Sequence, residues 1–283
     1  MDALSINPEP EQDQYVVIRP RGRAGDVFTE REVFCLVAAA ESAARRPWRV
    51  TFGRACWRLF EIVVSTLALA VSLPAIVIVA IVVRVDSPGP PLFFQRRVAK
   101  SKLMSGEDLL ESDEYEIVGP RVSPDRMYWV PQAFWFVKHR SMYADARERF
   151  ADLYDYNLTS DQVAKFQFKV PDDPRVTRVG RWLRESTLDE LPNFWNVIRG
   201  DMSLVGPRPE LPQMIANYRH EQMSKFTVKP GITGLPQISG RGRLAFQETV
   251  AYDVEYVARK SLALDVKILF ATLWKVVTRH GAF

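Results

Sequence analysis

The sequence predicts a mainly α-helical fold with small β elements, of the α+β class, built around one apolar helix of membrane length. Three observations predict it. Ile62 to Val83 carries no charge and is dominated by Val, Ile, Leu and Ala. Helical apolar spacing recurs in Leu262–Thr278, with Leu264, Ile268, Leu269, Leu273 and Val276 on or near one face. Two short aromatic and β-branched runs, Leu92–Arg97 and Phe134–Arg140, read as strands.

Taken in order, residues 1–30 are rich in Pro, Glu, Gln, Arg and Gly and read as disordered. Glu30 to Arg46 reads as a short helix, with Val33, Phe34, Leu36, Val37 and Ala40 at helical spacing. The apolar helix follows and is long enough to cross a hydrocarbon core, at about 1.5 Å per residue. It does not read as a signal peptide, because a long polar stretch precedes it and no short basic segment leads into a cleavage site. Pro74 lies in its middle, where proline removes a backbone donor and favours a kink. Basic residues flank both ends: Arg45, Arg46, Arg49, Arg54 and Arg58 before it, Arg84, Arg96, Arg97, Lys100 and Lys102 after it. A spanning helix leaves its cations on one side. A kinked span and a re-entrant hairpin therefore both remain open at this point.

The cluster Asp86-Ser87-Pro88-Gly89-Pro90-Pro91 stops that helix. Between the two strand-like runs, Lys100–Pro131 reads as an excursion with strands at Tyr115–Val118 and Met127–Val130. Tyr143–Lys165 reads as a charged helix and connector, Thr177–Val205 as two helical pieces around Ser186, and Glu210–Lys225 as a helix. Gly206-Pro207-Arg208-Pro209 is a rigid turn, and Lys229–Gly231 and Ser239–Gly242 are loops. This divides the chain into 1–50, 51–86 and 87–283. The Leu262–Thr278 helix either packs in the core or lies on a membrane surface.

Composition narrows the function. An apolar content of 47% and a charged fraction of 25% over 283 residues suit a folded protein. The net charge of +4 suits phosphate-bearing partners without choosing among them. Cys35 and Cys56 form no C-x-x-C pair, and His139, His220 and His280 are scattered, so neither a disulfide framework nor an imidazole-based metal site is expected. Neither a P-loop nor a Rossmann glycine pattern is present.

The candidate chemistry centres on Asp189-Glu190. Adjacent carboxylates on a helix diverge by about 100°, so they suit two neighbouring tasks rather than one symmetric chelate. One can bind metal or attack phosphorus while the other takes a proton. Thr187-x-x-Glu190 also matches a capping box, and spacing alone favours that structural role. The basic set comprises Lys138, Arg140, Arg175, Arg178, Arg181, Arg184, Arg199, Arg208, Lys229, Arg241 and Arg243. Arg208, between two prolines, has a fixed backbone that suits bidentate phosphate binding. Alone it reads as a surface arginine. Several arginines near a carboxylate pair favour a diphosphate site with a divalent cation.

Several segments in order are similar to the bacterial sugar transferase family, the monotopic phosphoglycosyl transferases. They are Asp86-Ser-Pro-Gly-Pro90 with Phe94-x-Gln-x-Arg97, Lys138-His-Arg-Ser-Met142, Thr177-Arg-Val-Gly-Arg-Trp-Leu-Arg184, Leu188-Asp-Glu-Leu-Pro192 and Asn196-Val. Gly200-Asp-Met-Ser-Leu-Val-Gly-Pro-Arg-Pro209 and Lys229-Pro-Gly-Ile-Thr-Gly234 complete them. The resemblance implies a membrane-embedded re-entrant helix hairpin, broken at Pro74, and a cytosolic catalytic domain with amphipathic interfacial helices at the bacterial inner membrane. It implies that Asp189 attacks the sugar-bearing phosphate of a UDP-sugar and releases UMP. The phosphosugar then passes to polyprenyl phosphate. Glu190 serves as base or positioner, and Mg²⁺ bridges Asp189 and the diphosphate. Arg184, Arg208, Lys138 and Arg140 are the implied phosphate contacts, followed by Asp201 and Arg241.

The chain departs from the family pattern in Ser72-Leu73-Pro74, where serine is displaced by one from proline, and at Ala99 and Leu235. Extra length at Lys100–Pro131 and Ala151–Phe168 bears on sugar choice, regulation or homodimer formation. Membrane lipids are expected partners and nucleic acid is not. The competing reading is a non-enzymatic, membrane-anchored module that binds anionic lipid or nucleotide and has no need of Asp189.

Overall fold

The structure, a computed structural model, describes residues 15–20, 34–38, 51–117, 122–154, 156, 159, 162–163, 166, 172–240 and 244–278. Its elements begin with β1 (Tyr15–Pro20), β2 (Phe34–Ala38), α1 (Thr51–Asp86), β3 (Leu92–Val98), β4 (Lys102–Ser105), α2 (Gly106–Glu111), β5 (Tyr115–Ile117), β6 (Met127–Val130) and β7 (Ala133–His139). There follow α3 (Ala146–Arg149), α4 (Arg178–Ser186), α5 (Phe194–Arg199), β8 (Ser203–Val205), β9 (Gly231–Thr233), α6 (Leu235–Ser239), α7 (Phe246–Arg259) and α8 (Leu262–Thr278). Short 3₁₀ turns cover Leu188–Asn193, Pro212–Asn217 and His220–Thr227. The α+β class expected from the sequence is the one observed.

The chain divides into two compact units. One comprises Met1–Pro47 with Ser101–Pro131, the other Trp48–Lys100 with Gln132–Phe283. The first unit holds an antiparallel sheet in the order β4-β6-β2-β1-β5. The strands expected in the excursion are β5 and β6. Two expectations fail nearby. Tyr15–Pro20 is a strand rather than disordered chain, and Phe34–Ala38 is a strand rather than part of a helix. A short apolar run does not itself choose between helix and strand. Pairing decides here, because β2 is hydrogen-bonded between β1 and β6.

In the second unit β3 and β7 form an antiparallel ribbon, with Leu92 opposite His139 and Val98 opposite Ala133. β8 and β9 pair in parallel, Ser203 opposite Gly231 and Val205 opposite Thr233. Phe134, Phe136, Val197, Met202, Leu204, Val205, Tyr256 and Ile268 form the main core. The expected helix Glu210–Lys225 is instead the two 3₁₀ turns that follow Leu211. Helix α8 has the expected bounds, yet it is apolar on more than one face. Ile268 is buried, whereas Phe270, Leu273 and Trp274 are exposed.

Helix α1 is long and apolar enough to cross a membrane. The break expected at Pro74 does not interrupt it, and the chain stays helical from Thr51 to Asp86. Proline costs one donor, the one that would serve Ala70, while the neighbouring turns keep theirs. Both ends of α1 are anchored. Near the start, Glu61 accepts a hydrogen bond from the Leu204 amide at 3.0 Å, and Arg58 donates to the Val197 and Ile198 carbonyls. Near the end, Val79 and Val83 pack on Leu183. Between Ser65 and Val79 no residue is buried.

Candidate active site

The site begins at a strained turn. α4 starts at Thr177, whose hydroxyl accepts from the Gly180 amide at 2.9 Å, and ends at Thr187 with φ +60°. A β-branched residue in this left-handed region is costly and persists only where its surroundings impose it. Asp189 and Glu190 follow in the first turn of the 3₁₀ segment Leu188–Asn193. The expected capping box is not formed. The Thr187 side chain caps nothing, and its carbonyl accepts from the Glu190 amide instead. The left-handed backbone turns the threonine side chain away from the position an N-cap needs.

The two carboxylates have different surroundings. Glu190 accepts from Arg208 at 2.9 Å. Asp189 is 6% exposed, and no described side chain hydrogen-bonds or ion-pairs with it. Burial, then the neighbouring Glu190 charge, pushes its carboxyl up to about 6, against the pull of Lys138, Arg208 and Arg184. Lys138 is pushed down to about 8 by burial, with Asp189 opposing. Arg184, in the last turn of α4, lies 3.9 Å from Asp173, which Arg175 also grips at 2.8 Å. Lys138, Arg184 and Arg208 are thus brought together on the Asp189-Glu190 pair.

The supports explain this convergence. β7 packs against the Leu188–Asn193 turn. Asn196 fixes the strand by accepting from the Val137 amide at 3.2 Å and donating to the Trp135 carbonyl at 2.7 Å. The turn carrying Arg208 is bound by Gly206 donating to Thr233 and Gly231 donating to Pro207. Glycine is required at 231, where a Cβ would stand 2.1 Å from the Gly206 nitrogen. A small open cleft beside Glu190 is lined by Arg97, Phe136, Asn193, Arg208 and Ile232, among others.

Not every expected contact belongs here. Arg140 is buried and spends all its donors elsewhere, on the Pro90, Met142, Val83 and Ser87 carbonyls and the Ser87 hydroxyl. It clamps the end of α1 and so is not placed to bind phosphate. Asp201 pairs with Arg199 at 3.4 Å and Asn196 at 3.3 Å, at the end of α5. Arg241 lies outside the described residues. Arg97 was absent from the basic set. It lines the cleft, its pKa is pushed down to about 10 by burial, and its register on the same ribbon face as Lys138 could have found it.

A family described as bacterial sugar transferase matches residues 52–104 and 117–279, and the chain belongs to that family. Galactosyl transferase CpsE of Streptococcus agalactiae is 42% identical over 58% of this chain and 36% of its own length. The undecaprenyl-phosphate glucose phosphotransferase of Komagataeibacter xylinus is 36% identical over 80% of this chain and 36% of its own length. Exopolysaccharide production protein ExoY of Rhizobium meliloti is 29% identical over 86% of this chain and 93% of its own length. The chain therefore spans little more than a third of the length of the first two relatives.

Proposed function

We propose that this protein transfers a sugar 1-phosphate from a UDP-sugar to a polyprenyl phosphate, with release of UMP. The observation that carries this reading is the buried Asp189 carboxylate, free of hydrogen bonds from described side chains and set among Lys138, Arg184 and Arg208. An Asp189 oxygen attacks the sugar-bearing phosphorus. The bond from that phosphorus to the bridging oxygen breaks, and UMP leaves with the electron pair. A phosphate oxygen of the lipid then attacks the same phosphorus and the carboxylate departs, giving a lipid diphosphate sugar. Arg208 and Arg184 offset the charge that builds on the phosphoryl oxygens. Glu190, held by Arg208, positions that guanidinium.

A Mg²⁺ ion fits this donor set. Among the described residues no group of three or more His, Cys, Asp or Glu exists to hold a metal. Mg²⁺ is commonly held by one or two carboxylates with substrate phosphates and water completing its shell. Asp189 would hold it, and it would supply charge neutralisation on the diphosphate. The reading extends to a membrane-bound setting, with α1 as the membrane element and the catalytic unit facing the cytoplasm. Anchored ends and an unburied apolar middle support that geometry.

The test is UMP release across a panel of UDP-sugars with Mg²⁺ and polyprenyl phosphate, with and without chelator. Asp189→Asn is expected to remove turnover and the covalent phosphosugar while the protein stays folded. Turnover retained in that variant, or a trapped phosphosugar on another side chain, overturns the reading. Nucleotide binding without UMP release for any donor would instead support the binding-module alternative.

A further inference from the structure

Behind Arg208 lies a second charged cluster that the reaction does not use. Lys225 is 2% exposed at its side chain and reaches Glu210 at 3.2 Å and Asp253 at 3.1 Å, which are 5% and 0% exposed. The Tyr218 hydroxyl donates to Glu210 at 2.5 Å, and Lys225 also lies 2.6 Å from that hydroxyl. Glu210 accepts its own neighbour's amide, from Leu211, at 2.9 Å. These groups come from the Arg208 turn itself, the segment that follows it and α7.

The cluster bears on the segment that carries Arg208. Glu210 continues the Arg208 turn, so the grip of Tyr218 and Lys225 on its carboxylate holds the chain two residues after Arg208. Arg97 donates to the Pro209 carbonyl at 3.1 Å, and the Val98 amide donates to the Glu210 carbonyl at 2.8 Å. On the other side, Pro207 accepts from Gly231. The turn is thus held on both flanks, and the residue that continues it, Glu210, is gripped by the buried cluster. Buried ion networks contribute little net stability, since packed apolar residues of similar volume serve as well or better. What they supply that apolar packing does not is a fixed direction.

We propose that Glu210, Tyr218, Lys225 and Asp253 form a positioning device for Arg208, which fixes where its guanidinium meets Glu190 and the transferring phosphoryl group. This rests on the transfer reaction proposed above. None of the four touches the reacting atoms, so they are positioning residues. A displacement of about 1 Å at a charge-stabilising group is enough to slow a reaction severely.

The experiment compares Asp253→Asn and Tyr218→Phe in the full chain, each alone and combined with Arg208→Lys. It reads kcat and KM for UMP release alongside thermal unfolding. Asp253→Asn is expected to lower kcat by about 10-fold or more while KM changes by less than about 3-fold, the pattern of an interaction expressed in the transition state. In the Arg208→Lys background the same change is expected to cost less than about 3-fold, because coupled residues are not additive. Tyr218→Phe keeps the ring and removes only the hydroxyl, so a loss of about 3-fold in kcat is expected. Wild-type kcat in a folded Asp253→Asn protein overturns the proposal, as does an equal loss in both backgrounds. If neither variant folds, the cluster is structural and the proposal fails. Wild-type turnover separates the readings: its absence with every donor removes the reaction itself.

Discussion

Two arginine-rich regions of this protein differ in one respect, the fraction of their hydrogen-bonding capacity that the fold itself consumes. At the end of α1, Arg140 directs every N–H at a protein oxygen and is buried. At the Asp189-Glu190 pair, Arg208 makes one side-chain bond among the described residues, to Glu190, and stays 40% exposed at its side chain. A guanidinium carries five donors in a fixed fork. Arg140 has none left for a ligand, while Arg208 has most of its fork unused. The count of free donors, more than charge or proximity, separates a clamp from a binding group.

The largest effect that sharpens this comparison falls on the acid. Asp189→Asn should cut UMP release by at least ~10³-fold, the scale of removing a nucleophile. Because burial raises the Asp189 pKa, ionising it in the folded state works against stability, so the same substitution should raise thermal stability above pH 6 in chelator. A variant that is inactive and also destabilised would mean that Asp189 is a structural residue. Next comes Arg140→Ala, expected to cost roughly 3–5 kcal/mol by orphaning buried carbonyls at the end of α1. Its kcat per folded molecule should hold, and a selective loss of kcat would return Arg140 to the site. Arg208→Lys should do the reverse, lowering kcat by about 10- to 100-fold through loss of the fork while unfolding stays near wild type.

Local pattern made much of this legible in the sequence. α1 and α8 could be read because long apolar runs leave few alternatives, and β3 and β7 as separate strands because their runs are aromatic and β-branched. The Asp189-Glu190 pair and Arg208 stood out only through the ordered motifs of the family resemblance, since spacing alone favoured a helix cap and a surface arginine. What could not be read depends on long-range pairing. The sheet of the first unit joins strands from both sides of α1 in the sequence, so Phe34–Ala38 looked helical on its own. Thr187 looked like a cap because a left-handed threonine has no sequence signature. Arg140 and Arg208 look alike as letters, and only the carbonyls around each distinguish them. The carboxylate partners of Lys225 lie 15 residues before it and 28 after it, a separation no periodicity reveals.

The smallest effect concerns the residue between the two regions. β7 alternates its side chains, so His139 points away from the face that Lys138 shares with Phe93. It is 0% exposed, and among described residues neither ring nitrogen has a partner. Burial pushes its pKa down to about 4 from an ordinary 6.5. The unfolded chain therefore takes up a proton that the folded chain refuses, so stability falls as pH drops through 6.5 toward 4, by up to roughly 3 kcal/mol. His139→Phe removes the titration and the unpaired nitrogens while nearly keeping the ring's volume. It should raise the melting temperature modestly at pH 7.5 and more at pH 5, with kcat at pH 7.5 unchanged. The widening gap is the informative quantity: a constant offset would mean that the ring is paired or solvated, and a lower kcat would mean that the strand transmits its packing to Lys138.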